Sequence, residues 1–138
     1  MPLIEITVGT DVADELVAQI GDSAHTALVE ALGVPTGDHF QIHARATTLV
    51  YDPGFLGVQR SDGFLVIRIF LARGRTVTQK KALFKRLAEL LEQDCGIRPE
   101  DVFVVLIEVG QEDFSFGCGL AQYADQTPAH LLHKAAAA

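Results

Sequence analysis

Apolar residues recur along this chain at two periods, one suited to strands and one to helices. Leu3-Ile4-Glu5-Ile6-Thr7-Val8 and residues 65–72 are short runs rich in β-branched residues and read as strands. Between them Val12, Leu16, Ile20, Ala24, Leu28 and Leu32 fall at helical spacing, and Ala82, Leu83, Leu87, Leu90, Leu91 and Cys95 do so later in the chain. Thr76 and Gln79 form a Thr-x-x-Gln capping box at the start of the second helix, and Gly33 and Gly96 stand where left-handed C-terminal caps are wanted.

A shift of 63 positions lays the first half on the second without a gap, from Leu3 on Val66 to Ile42 on Val105. Gly33 then meets Gly96, Asp38 meets Asp101 and Phe40 meets Phe103 in one register, which predicts a duplicated strand-helix-strand unit. The units span residues 2–43 and 65–109 of a single domain, residues 1–138. Asp52-Pro53-Gly54, Gly57 and Asp62-Gly63 are turn signals and mark 44–64 as a connector. Residues 110–138 are expected to form a C-terminal cap and tail, with Ala135 to Ala138 as a frayed or appended end.

Within a β-α-β unit the two strands run parallel, so the second begins level with the first. Asp38 is therefore expected at the sheet edge where Pro2 lies. If a two-fold axis through the sheet relates the units, their first strands pair antiparallel and Pro2 stands opposite residues near Ala72. Arg73 and Arg75 then join the same edge, whereas a parallel arrangement leaves them about 25 Å away at ~3.3 Å per residue. The strand over Val102 to Val109 ends there as well, and Phe114, Phe116 and Tyr123 are placed to close over it. The expected fold is α/β (α+β): two fused units, a four-stranded mixed sheet, and two helices on one face covering Ile4, Ile6, Val8, Ile67, Ile69 and Leu71. Val102 to Ile107 is apolar on both sides, the pattern of a strand covered on both faces. Two helices cover one face only, so a second subunit is expected on the other.

Composition narrows the partners. Hydrophobic residues make up 49% and charged residues 21%, a globular balance. The formal charge of −7 argues against nucleic acid, whose affinity rests on Lys and Arg contacts with phosphates. Phe64 to Ala72 and Val102 to Ile107 are too short or interrupted to span a bilayer, and the N-terminus lacks a basic region and a long apolar segment, so a cytoplasmic protein is expected. Cys95 and Cys118 show no C-x-x-C spacing and read as inert thiols. His39 and His43 lie about 13 Å apart along a strand, too far to share a metal. Gly117-Cys118-Gly119 lacks the third glycine of a dinucleotide loop. Neither metal nor cofactor is expected.

Met1-Pro2 ahead of a strand, duplicated β-α-β units and this length resemble the tautomerase superfamily. More narrowly, Gly33-Val34-Pro35-Thr36-Gly37-Asp38, Arg73-Gly74-Arg75 followed by Gln79-Lys80, and Asp113-Phe114-Ser115-Phe116-Gly117 are similar to malonate semialdehyde decarboxylase and its relatives. The resemblance runs from Pro2 to about Thr127. It implies Pro2 as a catalytic amine once Met1 is removed, Asp38 as its acidic partner, and Arg73 and Arg75 as a clamp on a substrate carboxylate, with Phe114, Phe116 and Tyr123 as the cleft wall. It also implies a homotrimer. The family decarboxylase has proline between its arginines and tryptophan before the Ser-Phe-Gly run, where this chain has Gly74 and Phe114. The dehalogenase branch adds a helix histidine that His25 does not match.

The activity so implied is cofactor-independent decarboxylation of a short 3-oxo acid, with hydration of an unsaturated acid as a secondary reaction. Keto-enol tautomerisation of a 2-oxo acid such as phenylpyruvate needs the same amine in its neutral form. A non-catalytic trimeric binding module is the alternative from another class, because a fold does not fix a function.

Overall fold

The computed structural model describes residues 1–132. His133 and the run Ala135 to Ala138 lie outside the described residues. Strand β1 (Pro2–Gly9) leads into helix α1 (Asp14–Leu32) and strand β2 (Phe40–Ala46). Strand β3 (Leu65–Ala72), helix α2 (Val77–Cys95) and strand β4 (Val102–Val109) repeat the order, and a short helix α3 (Ala129–Leu132) follows.

The helix ends follow their local chemistry. Thr76 accepts from the Gln79 backbone N–H while the Gln79 side chain accepts from the Thr76 N–H, so α2 begins on a complete capping box. Gly33 and Gly96 both take the left-handed conformation and return their N–H groups to the last turn. Helix α1 starts at Asp14 without a side-chain cap, and Asp14 and Glu15 in its first turn complement the positive end of the helix dipole.

The sheet order is β2-β1-β3-β4. Strands β1 and β2 are parallel with Leu3 opposite Phe40, and β3 and β4 are parallel with Val66 opposite Phe103, the same offset in both units. Strands β1 and β3 pair antiparallel with Pro2 opposite Leu71, one residue from the expected Ala72. Strand β2 runs on to Ala46, past residue 43 and into the stretch whose turn residues suggest a connector. The reason is Arg45, which donates to the carbonyls of Gly9 and Val12 and pairs with Asp14, extending the β1 register.

Ile4, Ile6, Val8, Ile67, Ile69 and Leu71 are all buried against Ile20, Ala24 and Leu28 of α1 and Leu83, Leu87 and Leu91 of α2. Removing one such side chain, as in Leu87→Ala, is expected to cost about 2–5 kcal/mol. The other sheet face is open. Phe40, Ile42, Phe103 and Val105 are exposed on it, flanking an ion pair between Glu5 and Arg68 on the two central strands. Among the described residues no helix is long and apolar enough to cross a membrane.

Candidate active site

The antiparallel pairing of β1 with β3 brings four chain segments to one edge: the starts of β1 and β2 and the ends of β3 and β4. Asp38 sits in a turn closed by its own N–H to the Pro35 carbonyl, 3.0 Å away. Its Oδ2 lies 2.6 Å from the terminal amine of Met1, and its side chain is 8% exposed. Burial pushes that amine's pKa below its ordinary value; the hydrogen bond and charge of Asp38 oppose the fall, and the charge of Arg75 adds to it. While Met1 precedes it, the buried Pro2 nitrogen is a tertiary amide with neither proton nor basicity.

Of the two arginines, Arg75 turns inward and Arg73 does not. Arg75 is 6% exposed and donates one Nη1 hydrogen bond to the Ala72 carbonyl at 2.8 Å. Its Nε and Nη2 are buried and have no partner among the described residues, and neither has Asp38 Oδ1. Buried donors are almost always satisfied, and a planar guanidinium fork matches the two oxygens of a carboxylate. Burial lowers the Arg75 pKa, opposed by the charges of Glu108, Asp38 and Tyr123. Arg73 is exposed, with its backbone N–H bonded to the Val109 carbonyl at 2.8 Å. Gly74 between them has φ +131°, a conformation closed to proline, whose ring fixes φ near −65°.

Glu108 is a member of this edge that the motifs do not reveal. It stands opposite Leu71, lies 2.5 Å from Lys80 Nζ, and accepts from the Gly74 N–H. The Lys80 hydrogen bond and the neighbouring Arg73 hold its carboxyl below the usual range despite burial. The signal in the sequence is a lone acid at the end of an otherwise apolar run.

Phe114, Phe116 and Tyr123 form one cluster, with ring centroids 5.5, 5.6 and 5.0 Å apart, and Phe116 also reaches Phe40 at 5.9 Å. Phe114 and Phe116 wall a cavity of about 280 Å³ with Met1, Pro2, Leu3, Phe40 and Ser115. Burial, reinforced by the charge of Asp38 and opposed by that of Arg75, raises the Tyr123 pKa, and Tyr123 does not itself line this cavity. The loop keeps its shape because Gln122 accepts from Phe116 N–H and donates to the Gly117 carbonyl. Phe40 and Ser115 join the wall without having been singled out in sequence as wall residues.

A larger cavity, about 390 Å³, opens at the opposite sheet edge between Gly9, Val12, Phe64 and Leu65. The 63-position shift puts Leu65 where Pro2 stands and Val12 where Arg75 stands. Its lining holds Asp11 and Asp62 and no Lys or Arg, so it has nothing to receive a carboxylate. Among the described residues the lining of the smaller cavity holds no Lys or Arg either, but it is the one bordered by Met1 and Pro2.

Residues 38–117 match the family model described as tautomerase enzyme. The chain is 34% identical over 124 residues to the probable tautomerase YusQ of Bacillus subtilis (strain 168), covering 88% of this chain and 98% of that protein. It is similar to the crystal structure of FG41 malonate semialdehyde decarboxylase inhibited by 3-bromopropiolate, with a TM-score of 0.85 and 36% identity over 92% of this chain and 98% of that one. A second malonate semialdehyde decarboxylase, whose structures were related to decarboxylase and hydratase activities, aligns with a TM-score of 0.82 and 34% identity over 88% and 95% of the two chains.

Proposed function

Because the chain belongs to the tautomerase family, we propose that it uses Pro2, freed by removal of Met1, as a catalytic amine on short oxo-carboxylic acids, and that its main reaction is decarboxylation of malonate semialdehyde or a similar 3-oxo acid. The observation that carries this reading is Arg75: a buried guanidinium with two unpartnered nitrogens beside an amine–carboxylate pair. A carboxylate substrate supplies the missing acceptors.

In this reaction Arg75 holds the carboxylate while Arg73, at the mouth, adds attraction. The protonated Pro2 amine hydrogen-bonds to the aldehyde oxygen, or the neutral amine condenses with the carbonyl, losing water, to give an iminium. Either form is an electron sink. The bond between the carboxyl carbon and its neighbour breaks, the electron pair moves into the sink, and carbon dioxide leaves. The resulting enol or enamine takes a proton on carbon, and the enamine route ends with hydrolysis. The apolar wall of Phe114 and Phe116 disfavours the charged carboxylate and favours its loss. The same cation polarises an unsaturated acid for addition of water, with Asp38 placing the water, which is the proposed hydratase side reaction.

A second reading has its own support. Burial is the strongest influence on the Met1 amine at this edge and pulls it toward the neutral form; a Pro2 amine under the same burial would suit proton abstraction beside the carbonyl of a 2-oxo acid. Turnover of malonate semialdehyde and of phenylpyruvate by protein shown by intact mass to begin at Pro2 separates the two. Carbon dioxide release from the first substrate is the expected result. Tautomerisation alone selects the second reading, and turnover of neither substrate selects the non-catalytic binding module.

Assembly as a homotrimer is part of this proposal. Its support is the uncovered apolar sheet face bearing Phe40, Ile42, Phe103 and Val105.

A further inference from the structure

We propose that His25, on α1, is a positioning residue for Asp38, acting through the turn that carries it. The inference rests on the reading of Asp38 as the acidic partner of the terminal amine. His25 Nε2 lies 2.9 Å from the Thr36 carbonyl. A carbonyl oxygen only accepts, so Nε2 carries the proton and donates it to the turn. On the other side of Asp38, the ring of His39 lies flat on the His25 ring, with centroids 4.3 Å apart and planes 16° apart. One imidazole therefore fastens the residue two before Asp38 and the residue just after it.

Besides His25, the turn is held by the Asp38 N–H on the Pro35 carbonyl and by the Val34 N–H on the Leu28 carbonyl. Val34 is buried, but Pro35, Thr36 and Gly37 are exposed and contribute no packing, and a Cβ added at Gly37 would meet nothing within 4 Å. By contrast His25 stands on a rigid support, because its neighbours Ala24, Ala27 and Leu28 are buried in the core. His25 Nδ1 is buried with no hydrogen-bond partner among the described residues, so the ring's polar contact goes to Thr36. The position being protected is exacting. The Asp38–amine contact is 2.6 Å, and a displacement of about 1 Å in a catalytic group is enough to cost up to 100-fold in rate.

Two substitutions separate donor from ring. His25→Phe keeps an aromatic ring for the stack and removes the donor, while His25→Gln keeps an N–H donor at similar reach. The readouts are steady-state kinetics with malonate semialdehyde and phenylpyruvate, and a nitrogen-15 NMR titration of the terminal amine. His25→Phe is expected to lower kcat about tenfold with KM within about twofold, and to lower the amine's titration midpoint, because the Asp38 contact that raises it loosens. His25→Gln should restore most of both. In an Asp38→Asn background, His25→Phe should add no further loss, since both changes act on one contact. An unchanged amine midpoint in folded His25→Phe, or losses that add independently, overturns the inference; His25→Leu carries the same test should the Phe variant not fold. If the wild type turns over neither substrate the functional reading fails, while the amine midpoint still decides the role of His25.

Discussion

Asp38 and Asp101 each stand two residues ahead of a phenylalanine that pairs with the first strand of its unit, yet Asp38 accepts from the terminal amine at 2.6 Å whereas Asp101 accepts from the backbone and hydroxyl of Ser61 at 2.7 and 2.6 Å. The second aspartate is 2% exposed and also lies 3.7 Å from Arg98, so its carboxylate is filled by the connector that joins the units. The first keeps one oxygen without a hydrogen-bond partner among the described residues. One position has thus become a fastening in one unit and, in the proposed function, the partner of the catalytic amine in the other.

Asp101→Asn should therefore destabilise the protein by about 1–3 kcal/mol, because the two charge-assisted hydrogen bonds from Ser61 lose the carboxylate charge and the pairing with Arg98 is lost. Denaturant unfolding measures this. Activity per folded molecule should stay near wild type, whereas Asp38→Asn should change activity with little effect on the unfolding midpoint.

Substrate capture should divide unequally between the arginines. Arg75→Ala is expected to lower kcat/KM for a carboxylate substrate about 100-fold, equivalent to ~2.7 kcal/mol, and Arg73→Ala less than about tenfold, since only Arg75 is buried. Equal effects from the two would reject the assignment of Arg75 as the principal anchor.

Much of this site was legible in the sequence. The period of the apolar residues places β1 and β3, and the repeat, if a two-fold axis relates its units, gives the antiparallel pairing that sets Pro2 near Ala72, one residue from the observed Leu71, and carries the arginines to the same edge. Side-chain direction was not legible. Arg75 is buried and Arg73 exposed on either side of Gly74, whose φ is positive, and an Arg-x-Arg spacing is silent on which of the two turns in. Glu108 and His25 were equally hidden, since each acts through a backbone group, the Gly74 N–H or the Thr36 carbonyl, that no motif displays.

The open sheet face predicts its own test. Ile42→Asp combined with Phe103→Asp places charge on two exposed apolar positions outside the core and should convert an assembled protein into a folded monomer. Sedimentation equilibrium at micromolar concentration decides it. A wild-type monomer would remove the homotrimer from the proposal.

Glu108 sets an acid limb for stability. Its folded-state pKa lies below the usual value, chiefly because Lys80 hydrogen-bonds to it, so its contribution is present above the unfolded pKa and is lost as pH falls through the folded one. Lys80→Met removes that cause. The variant should be less stable than wild type at neutral pH, with a difference that shrinks below about pH 4, where the unfolded carboxylate also protonates. A difference constant from pH 7 to pH 2 would assign the loss to packing instead.

The amine itself makes the sharpest prediction. For the Met1 amine burial and Arg75 lower the pKa and Asp38 raises it, with burial the largest influence, and the same directions are expected for Pro2 once Met1 is removed. Removing the Asp38 charge must therefore lower the pKa further. In Asp38→Asn the amine should be more fully neutral at pH 7 than in wild type, which withdraws the cation that hydrogen-bonded decarboxylation needs and supplies more of the base that tautomerisation needs. Decarboxylase activity should fall, and any phenylpyruvate tautomerase activity should keep its ascending limb but move it to lower pH. Paired pH–rate profiles for the two substrates, alongside the nitrogen-15 titration, measure both shifts. A limb that moves to higher pH would mean that Asp38 does not stabilise the ammonium, and the pairing at 2.6 Å would then belong to Met1 and not to the working Pro2 amine.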